Sequence, residues 1–236
     1  MKDELTRKQF YLTPSHPCSY LDSKRARTLF LDPREPIDDA LYGVLTRAGF
    51  RRSGSHLYRP RCEDCTACVS VRVPVERFRR TRRFARVAAR NDDLEIGLEQ
   101  PAFSPDVFAL YARYIRERHA DGDMYPATSA QFRSFLLSSW THTKFLTFRL
   151  DSRLVAVAVT DTLNDGLSAI YTFFDPALAR RSLGVFAILT QIAECRERGV
   201  PYLYLGYWIR DCAKMSYKID YRPVELLVHN RWVVMT

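Results

Sequence analysis

A chain of 236 residues, 47% of them hydrophobic, can bury one large core or two small ones, and its 36 Lys and Arg against 27 Asp and Glu leave a net charge of +9. No apolar run reaches the ~18 residues needed to cross a bilayer, and the opening MKDELTRKQF lacks the apolar stretch of a secretory signal, so a cytoplasmic protein without a membrane partner is expected. In that compartment the six cysteines are expected as thiols or ligands rather than disulfides. The basic excess is uneven: residues 1–100 carry 20 basic and 14 acidic groups and the remaining 136 carry 16 and 13, the distribution expected if the first half supplies much of the footprint for a polyanion.

Residues 1–15 are polar and aperiodic and read as a loose arm. After His16, Pro17, Cys18 and Tyr20 precede a basic cluster of Lys24, Arg25 and Arg27. Ile37, Leu41, Val44, Leu45 and Ala48 recur at helical spacing between Asp38 and Gly49, which predicts a short helix. Residues 50–60 and 69–75 read as strands on either side of a cysteine-rich turn. The alternation of Val69, Val71, Val73 and Val75 predicts one buried face, with Pro74 near a strand end. From Glu76 to Arg90 seven arginines fall in fifteen positions, leaving Phe78, Phe84, Val87 and Ala88 for packing. Such an element either tracks backbone phosphates or is a solvated helix face. Residues 94–99 read as a strand, and 100–105 as a domain boundary.

Beyond the boundary, Ser104 and Pro105 fit the start of a helix, and Thr128 with Gln131 forms a capping-box signature for a second. Residues 145–150, 154–162 and 167–174 read as strands joined by turns, an antiparallel meander. An amphipathic helix over 182–198 follows, and a strand over 202–205 can run parallel to the last meander strand because a helix connects them. The fold class expected is therefore α+β, with a cysteine-bearing module over 1–100 and a second domain over 101–236.

The densest chemistry lies in YLYLGYWIRDCAKMSYKIDYRPVE, residues 202–225, where Tyr207, Trp208, Tyr217 and Tyr221 interleave with Arg210, Lys214, Lys218 and Arg222. Rings that stack on bases beside cations that hold phosphates suit a nucleotide partner; a strand edge with solvated lysines is the plainer reading. Together with YTFFDPALARRSLGVF at 171–186, this stretch resembles the C-terminal signature of the aminoacyl-tRNA–protein transferases. HPCSYLDSKRARTLFLDP and YRPRCEDCTACVSVRVPV resemble the bacterial leucyl-transferring branch of that family, and the resemblance runs from about residue 16 to about 227.

The resemblance implies a fold like that of the acyl-CoA N-acyltransferases (GNAT-like) for the C-terminal half, and transfer of leucine from leucyl-tRNA to the α-amine of proteins that begin with Asp or Glu, which tags them for degradation in an N-degron pathway. The donor is an activated ester, so no cofactor is chemically required, and placement and oxyanion stabilisation are expected to supply most of the catalysis. Asp175 is the first candidate for holding the amine, with Tyr171, Tyr207 and Tyr217 for proton handling or for orienting the terminal adenosine. A donor seat is expected at Arg180, Arg181, Ser182 and Gly184, at the start of a helix. Trp208 and the arginines Arg79, Arg80, Arg82 and Arg83 are candidates for tRNA contact, and Lys214, Lys218 and Arg222 for the acceptor's carboxylate. Cys62, Cys65 and Cys68, with Cys18, offer four thiolates to zinc or an iron–sulfur cluster, or are plain thiols. Three other readings are weighed: arginyl transfer; CoA-dependent N-acetylation, disfavoured because RRSLG lacks a glycine-rich pyrophosphate turn; and a non-catalytic tRNA-binding or metal-sensing module.

Overall fold

The computed structural model describes residues 8–137, 140 and 142–236. Of the expected loose arm, residues 1–7 lie outside the described residues, and the rest is not loose. Phe10–Leu12 is a strand, β1, followed by β2 (His16–Pro17), β3 (Arg25–Ala26) and β4 (Thr28–Leu31). β1 pairs antiparallel with β4, and its half-buried Phe10 ring packs 5.5 Å from the buried Phe50, a contact that the segment's polar neighbours conceal in sequence. The predicted helix is present as α1 (Asp39–Arg47). Asp38 accepts from the Leu41 amide at its N-terminus, and Leu41, Val44 and Leu45 face the core. β5 (Arg51–Ser53) and β6 (His56–Pro60) make a hairpin that completes a four-stranded sheet in the order β1-β4-β6-β5.

The main sheet has eight strands, and they come from both sides of residue 100. Its strands are β7 (Val69–Pro74), β8 (Glu95–Glu99), β9 (Thr143–Leu150), β10 (Arg153–Leu163), β11 (Gly166–Phe174), β12 (Tyr202–Trp208), β13 (Val224–Val228) and β14 (Arg231–Met235), in the order β14-β13-β7-β12-β11-β10-β9-β8. β7 is thus an interior strand between β12 and β13, and β8 is an edge beside β9. The single buried face expected for β7 is corrected: Ser70, Arg72 and Pro74 are buried as well as the valines. An interior strand covered on both sides must bury its alternate residues too. Arg72 is tolerated there because Nε donates to Glu225 at 2.7 Å, Nη1 to the Tyr204 hydroxyl at 3.1 Å, and its plane lies over the Tyr202 ring.

The arginine-rich stretch is helical only over Arg82–Ala89 (α2), with Thr81 capping it and Phe84 and Val87 buried; Phe84 stacks on Tyr221 at 4.9 Å. α3 (Pro105–Arg118) and α4 (Ser129–Leu136) cover one face of the meander, and the Thr128–Gln131 capping box is formed as predicted. The β9-β10-β11 meander is present. A 3-10 turn over Pro176–Arg181, which the sequence did not announce, leads into α5 (Leu183–Glu197), and β12 returns parallel to β11. The last segment holds α6 (Ala213–Ser216), a 3-10 turn at Tyr217–Asp220 and the β13–β14 hairpin. His229 and Asn230 both take positive φ at the hairpin's tip, the geometry a two-residue turn between twisted strands requires.

Gly166 opens β11 against the carbonyl of Tyr202, which would lie 2.2 Å from an added Cβ. Gly166→Ala should therefore prise apart the start of the β11–β12 pairing and lower stability by about 1–3 kcal/mol, measured by urea denaturation.

Candidate functional site

β11 and β12 share three parallel pairs, Gly166 with Tyr202 through Ser168 with Tyr204, and then separate. Both carry an irregularity at this level: the β10–β11 register shifts at Val159/Thr160 and the β12–β7 register at Tyr204/Gly206. The guanidinium of Arg51, from β5, sits at the point of separation. Nη1 donates to Ser168 Oγ at 2.9 Å and Nη2 to the Ala169 carbonyl. Gly206, at φ +83°, makes the room: a Cβ there would lie 3.1 Å from Arg51 Nε.

Arg51 is 8% exposed, yet none of the ion pairs among the described residues includes it. The next residue behaves oppositely. Arg52 grips Asp161 through Nε at 2.6 Å and Nη2 at 2.9 Å, and Asp161 also accepts from Tyr42 at 2.7 Å and Thr143 at 2.6 Å. Adjacent strand residues point to opposite faces, so one buried arginine is fully paired and its neighbour has only a hydroxyl and a carbonyl.

A second buried cation lies across Gly206. Lys218, 7% exposed, donates to the carbonyl of Tyr207 at 2.8 Å and lies 3.2 Å from Met215 Sδ. Burial, then the Arg51 charge, push its ammonium from an ordinary 10.5 down to about 7. Because the folded value lies below the unfolded one, the unfolded chain binds more protons between the two. This lysine's penalty is therefore full at and below pH 7 and is relieved as pH rises. The Cys68 thiol, pushed up to about 12 by burial, opposes that gain above about pH 9. Urea melts between pH 7 and pH 8.5 should show stability rising with pH in the wild type and a flatter profile in Lys218→Met.

Aromatic side chains surround the mouth of the split. Tyr114 of α3 lies 4.9 Å from Phe174 and 6.3 Å from Tyr171, and Tyr171 directs its hydroxyl at Met124 Sδ. Tyr217 is 40% exposed overall, but burial of its hydroxyl, with a smaller push from Tyr114 and against the Arg51 charge, raises that group to about 12. Lys214 pairs with Asp121 at 2.9 Å, tying the α6 segment to the loop after α3.

Several residues singled out in the sequence are committed elsewhere. Asp175 is 1% exposed; it receives Arg153 at 2.7 Å, Arg113 at 3.3 Å and the Ala177 amide at 3.1 Å, so its carboxylate anchors the 3-10 turn and has no open face for an amine. The Tyr207 hydroxyl donates to the Gly49 carbonyl at 2.8 Å and lies 3.2 Å from that of Tyr58, joining β12 to the β5–β6 hairpin. Trp208 is buried, so its ring is not a surface on which a base can stack. Arg181 is bidentate on Asp93 at 2.7 and 2.8 Å, while Arg180 offers its carbonyl to Arg90. Ser182 precedes α5 at φ +54° without a side-chain cap, and Gly184 sits against the Phe174 ring. Arg222 is exposed and donates to the carbonyls of Ile219 and Thr236.

Arg79, Arg80, Arg82 and Arg83 are all exposed, as are Arg77, Arg86 and Arg90; among the described residues only Arg83 of these pairs with a carboxylate, Asp220 at 2.7 Å. This is a basic surface with little internal neutralisation. The separation between buried and exposed cations is the clearest electrostatic feature of the molecule.

Cys18, Cys62, Cys65 and Cys68 are half-buried free thiols, and Cys18, Cys62, Cys65 and Cys212 all lie close enough to add to the rise of Cys68. A four-thiol donor set suits zinc or an iron–sulfur cluster chemically. Among the described residues, however, no group of three or more His, Cys, Asp or Glu is arranged as a ligand set.

Two family models match the chain: "Arginine-tRNA-protein transferase, N terminus" over residues 16–86 and "Arginine-tRNA-protein transferase, C terminus" over 106–228. The chain is 56% identical to an aspartate/glutamate leucyltransferase of Hahella chejuensis, over 96% of this chain and 97% of that one. It is 55% identical to a protein of the same name from Pseudomonas fluorescens (98% and 99% covered) and 53% to one from Stutzerimonas stutzeri (98% and 99%). Two solved structures show a distant likeness. The C-terminal domain of a putative lysylphosphatidylglycerol synthetase from Agrobacterium fabrum gives a TM-score of 0.44 at 14% identity over 73% of this chain and 53% of that one, and L-PGS from Bacillus licheniformis 0.43 at 12% over 61% and 47%.

Proposed function

The chain belongs to the arginine-tRNA-protein transferase family, and from that membership we propose how its cations and rings divide the work of aminoacyl transfer. It is an aminoacyltransferase that moves leucine onto proteins beginning with Asp or Glu, and arginyl transfer is not favoured, because the relatives covering almost the whole chain carry the leucyltransferase name. Leucyl-tRNA is the donor. The acceptor's α-amine attacks the ester carbonyl; an amide bond forms, the ester C–O bond breaks, and the terminal ribose hydroxyl leaves with a proton. With a pKa of about 7.7 to 8.0, a fraction of the amine is already neutral at pH 7, so the reaction depends more on placement than on a strong base.

The observation that supports a site at the β11–β12 split is the pair of strands parting around a buried guanidinium, bordered by Tyr114, Tyr171, Phe174 and Tyr217. We assign this chain's second half, 101–236, to the GNAT-like class on its order of two helices, a meander, a crossover helix and a returning strand, with β7 and β8 of the first half completing its sheet. The leucyl side chain fits the rings and the Met124 thioether at the mouth, which offer apolar surface. Burial raises the Tyr171 and Tyr217 phenols, which favours them as neutral hydrogen-bond donors over bases. The tRNA body lies along the exposed arginines of 77–90, and the start of α5 from Ser182 to Gly184 takes the donor's 3′ end. The four cysteines carry no step, because aminolysis of an activated ester proceeds without a metal; they are proposed as a structural centre for zinc or a cluster once the thiols draw together. Cytoplasmic location fits a tRNA substrate, and no helix among the described residues is long and apolar enough to cross a membrane.

Single-turnover transfer from labelled leucyl-tRNA and, separately, arginyl-tRNA onto matched peptides beginning with Asp, Glu, Asn or Ala tests the reading. Leucine should appear on the Asp and Glu peptides alone. Arginine in its place would overturn the donor assignment.

A further inference from the structure

Arg51 and Lys218 are both buried, and neither meets a carboxylate among the described residues. They flank one short piece of β12: Arg51 Nε lies against Gly206, and the Lys218 ammonium holds the carbonyl of Tyr207. Two like charges buried together repel each other and are poorly solvated, a cost the fold relieves either by releasing the lysine's proton or by taking up a counter-charge. Among the described residues, the other buried arginines have their acids within the chain: Arg52 has Asp161 and Arg72 has Glu225. Arg51 uses two of its five N–H groups, on Ser168 and Ala169, and the others have no protein partner among the described residues.

We propose that Arg51 and Lys218 together form the seat for the side-chain carboxylate of the acceptor's first residue, and so determine selection for Asp and Glu. This rests on the reading of the chain as a leucyl transferase for such acceptors. A carboxylate is favoured over a tRNA phosphate on three grounds. The two cations are buried where the two strands part, a place that suits a short side chain better than a ribose-phosphate backbone. Their fork-and-point pairing of guanidinium with ammonium fits two oxygens of one anion. The exposed arginines already offer a separate surface to phosphates. The other two residues expected from the sequence to hold the acceptor's carboxylate are less suited: Lys214 is held by Asp121, and Arg222 is exposed and donates to two carbonyls.

The test compares wild type, Arg51→Met, Arg51→Lys and Lys218→Met with peptides beginning with Asp or Asn, recording kcat/KM for each peptide and KM for leucyl-tRNA. Truncating one partner of a buried charge pair should lower kcat/KM for the Asp peptide by roughly 30- to 1,000-fold in Arg51→Met, with KM for leucyl-tRNA within about twofold. The ratio of Asp to Asn peptide should collapse towards one. Arg51→Lys, which keeps the charge and loses the fork, should fall between and guards against a failure of Arg51→Met to fold. An unchanged Asp/Asn ratio in all three variants overturns the proposal. A rise in KM for leucyl-tRNA shared by both peptides also overturns it and assigns the seat to tRNA phosphate. If the wild type itself transfers leucine without regard to the first residue, it is the functional reading that fails.

Discussion

Arg52→Met should be among the most destabilising single changes in the protein, and Arg51→Met, one residue away, among the least. Removing Arg52 leaves Asp161 buried, with hydrogen bonds from Tyr42 and Thr143 and no cation. Breaking a buried pair in this way lowers stability by about 3–5 kcal/mol, and for a chain of this size that is a fall in Tm of roughly 6–20 °C. Arg51 has no acid to orphan, so replacing its charge with a methionine of similar reach should leave stability unchanged or raise it. Guanidinium denaturation of the two variants checks the contrast. Equal losses would mean that Arg51 has an internal counter-charge and that the strand split is not an anion seat.

The second large effect lies on the surface. Replacing Arg79, Arg80 and Arg82 together with alanine removes three exposed charges with no carboxylate partner among the described residues, so the fold should survive. If each contacts a phosphate, the slope of log affinity for leucyl-tRNA against log salt should shrink by about 3, with affinity falling roughly 10- to 100-fold at moderate salt. Arg83→Ala should do less, since Asp220 already neutralises part of that charge. Filter binding of leucyl-tRNA at several salt concentrations measures both quantities. An unchanged slope in the triple variant would place the tRNA on another face.

How much of this was legible in the sequence follows from range. Elements whose signals are local came through: the caps at Asp38 and Thr128, the three meander strands, and the parallel return of β12 through a helix. The placement of β7 inside the second half's sheet depends on pairings with residues more than a hundred positions away, which no local periodicity records. The β13–β14 hairpin is turned by His229-Asn230, which lacks the glycine that usually marks a two-residue turn, so local sequence does not announce it. Of the candidate site residues, Lys218 sits in the strand split, and Tyr171 and Tyr217 border its mouth. Asp175 and Tyr207 carry polar atoms that bind the fold together, a distinction that only the identity of their partners reveals. Arg51 gave no signal at all. Two arginines in a three-residue strand look alike in sequence, and only the three-dimensional pairing separates the one with Asp161 from the one with no acid.

Exposed cations are thus assigned to the donor's tRNA and buried cations to the acceptor's carboxylate. The salt dependence of the two KM values, measured on the unmodified protein with leucyl-tRNA and a short Asp peptide, tests this division most directly. Exposed contacts are screened over a Debye length of about 8–10 Å near physiological salt, whereas buried pairs are screened far less. Between 50 and 200 mM salt, KM for leucyl-tRNA should therefore rise by roughly an order of magnitude or more, and KM for the peptide by less than about twofold. Parallel rises in both would contradict the division, because they would put donor and acceptor on the same exposed charges.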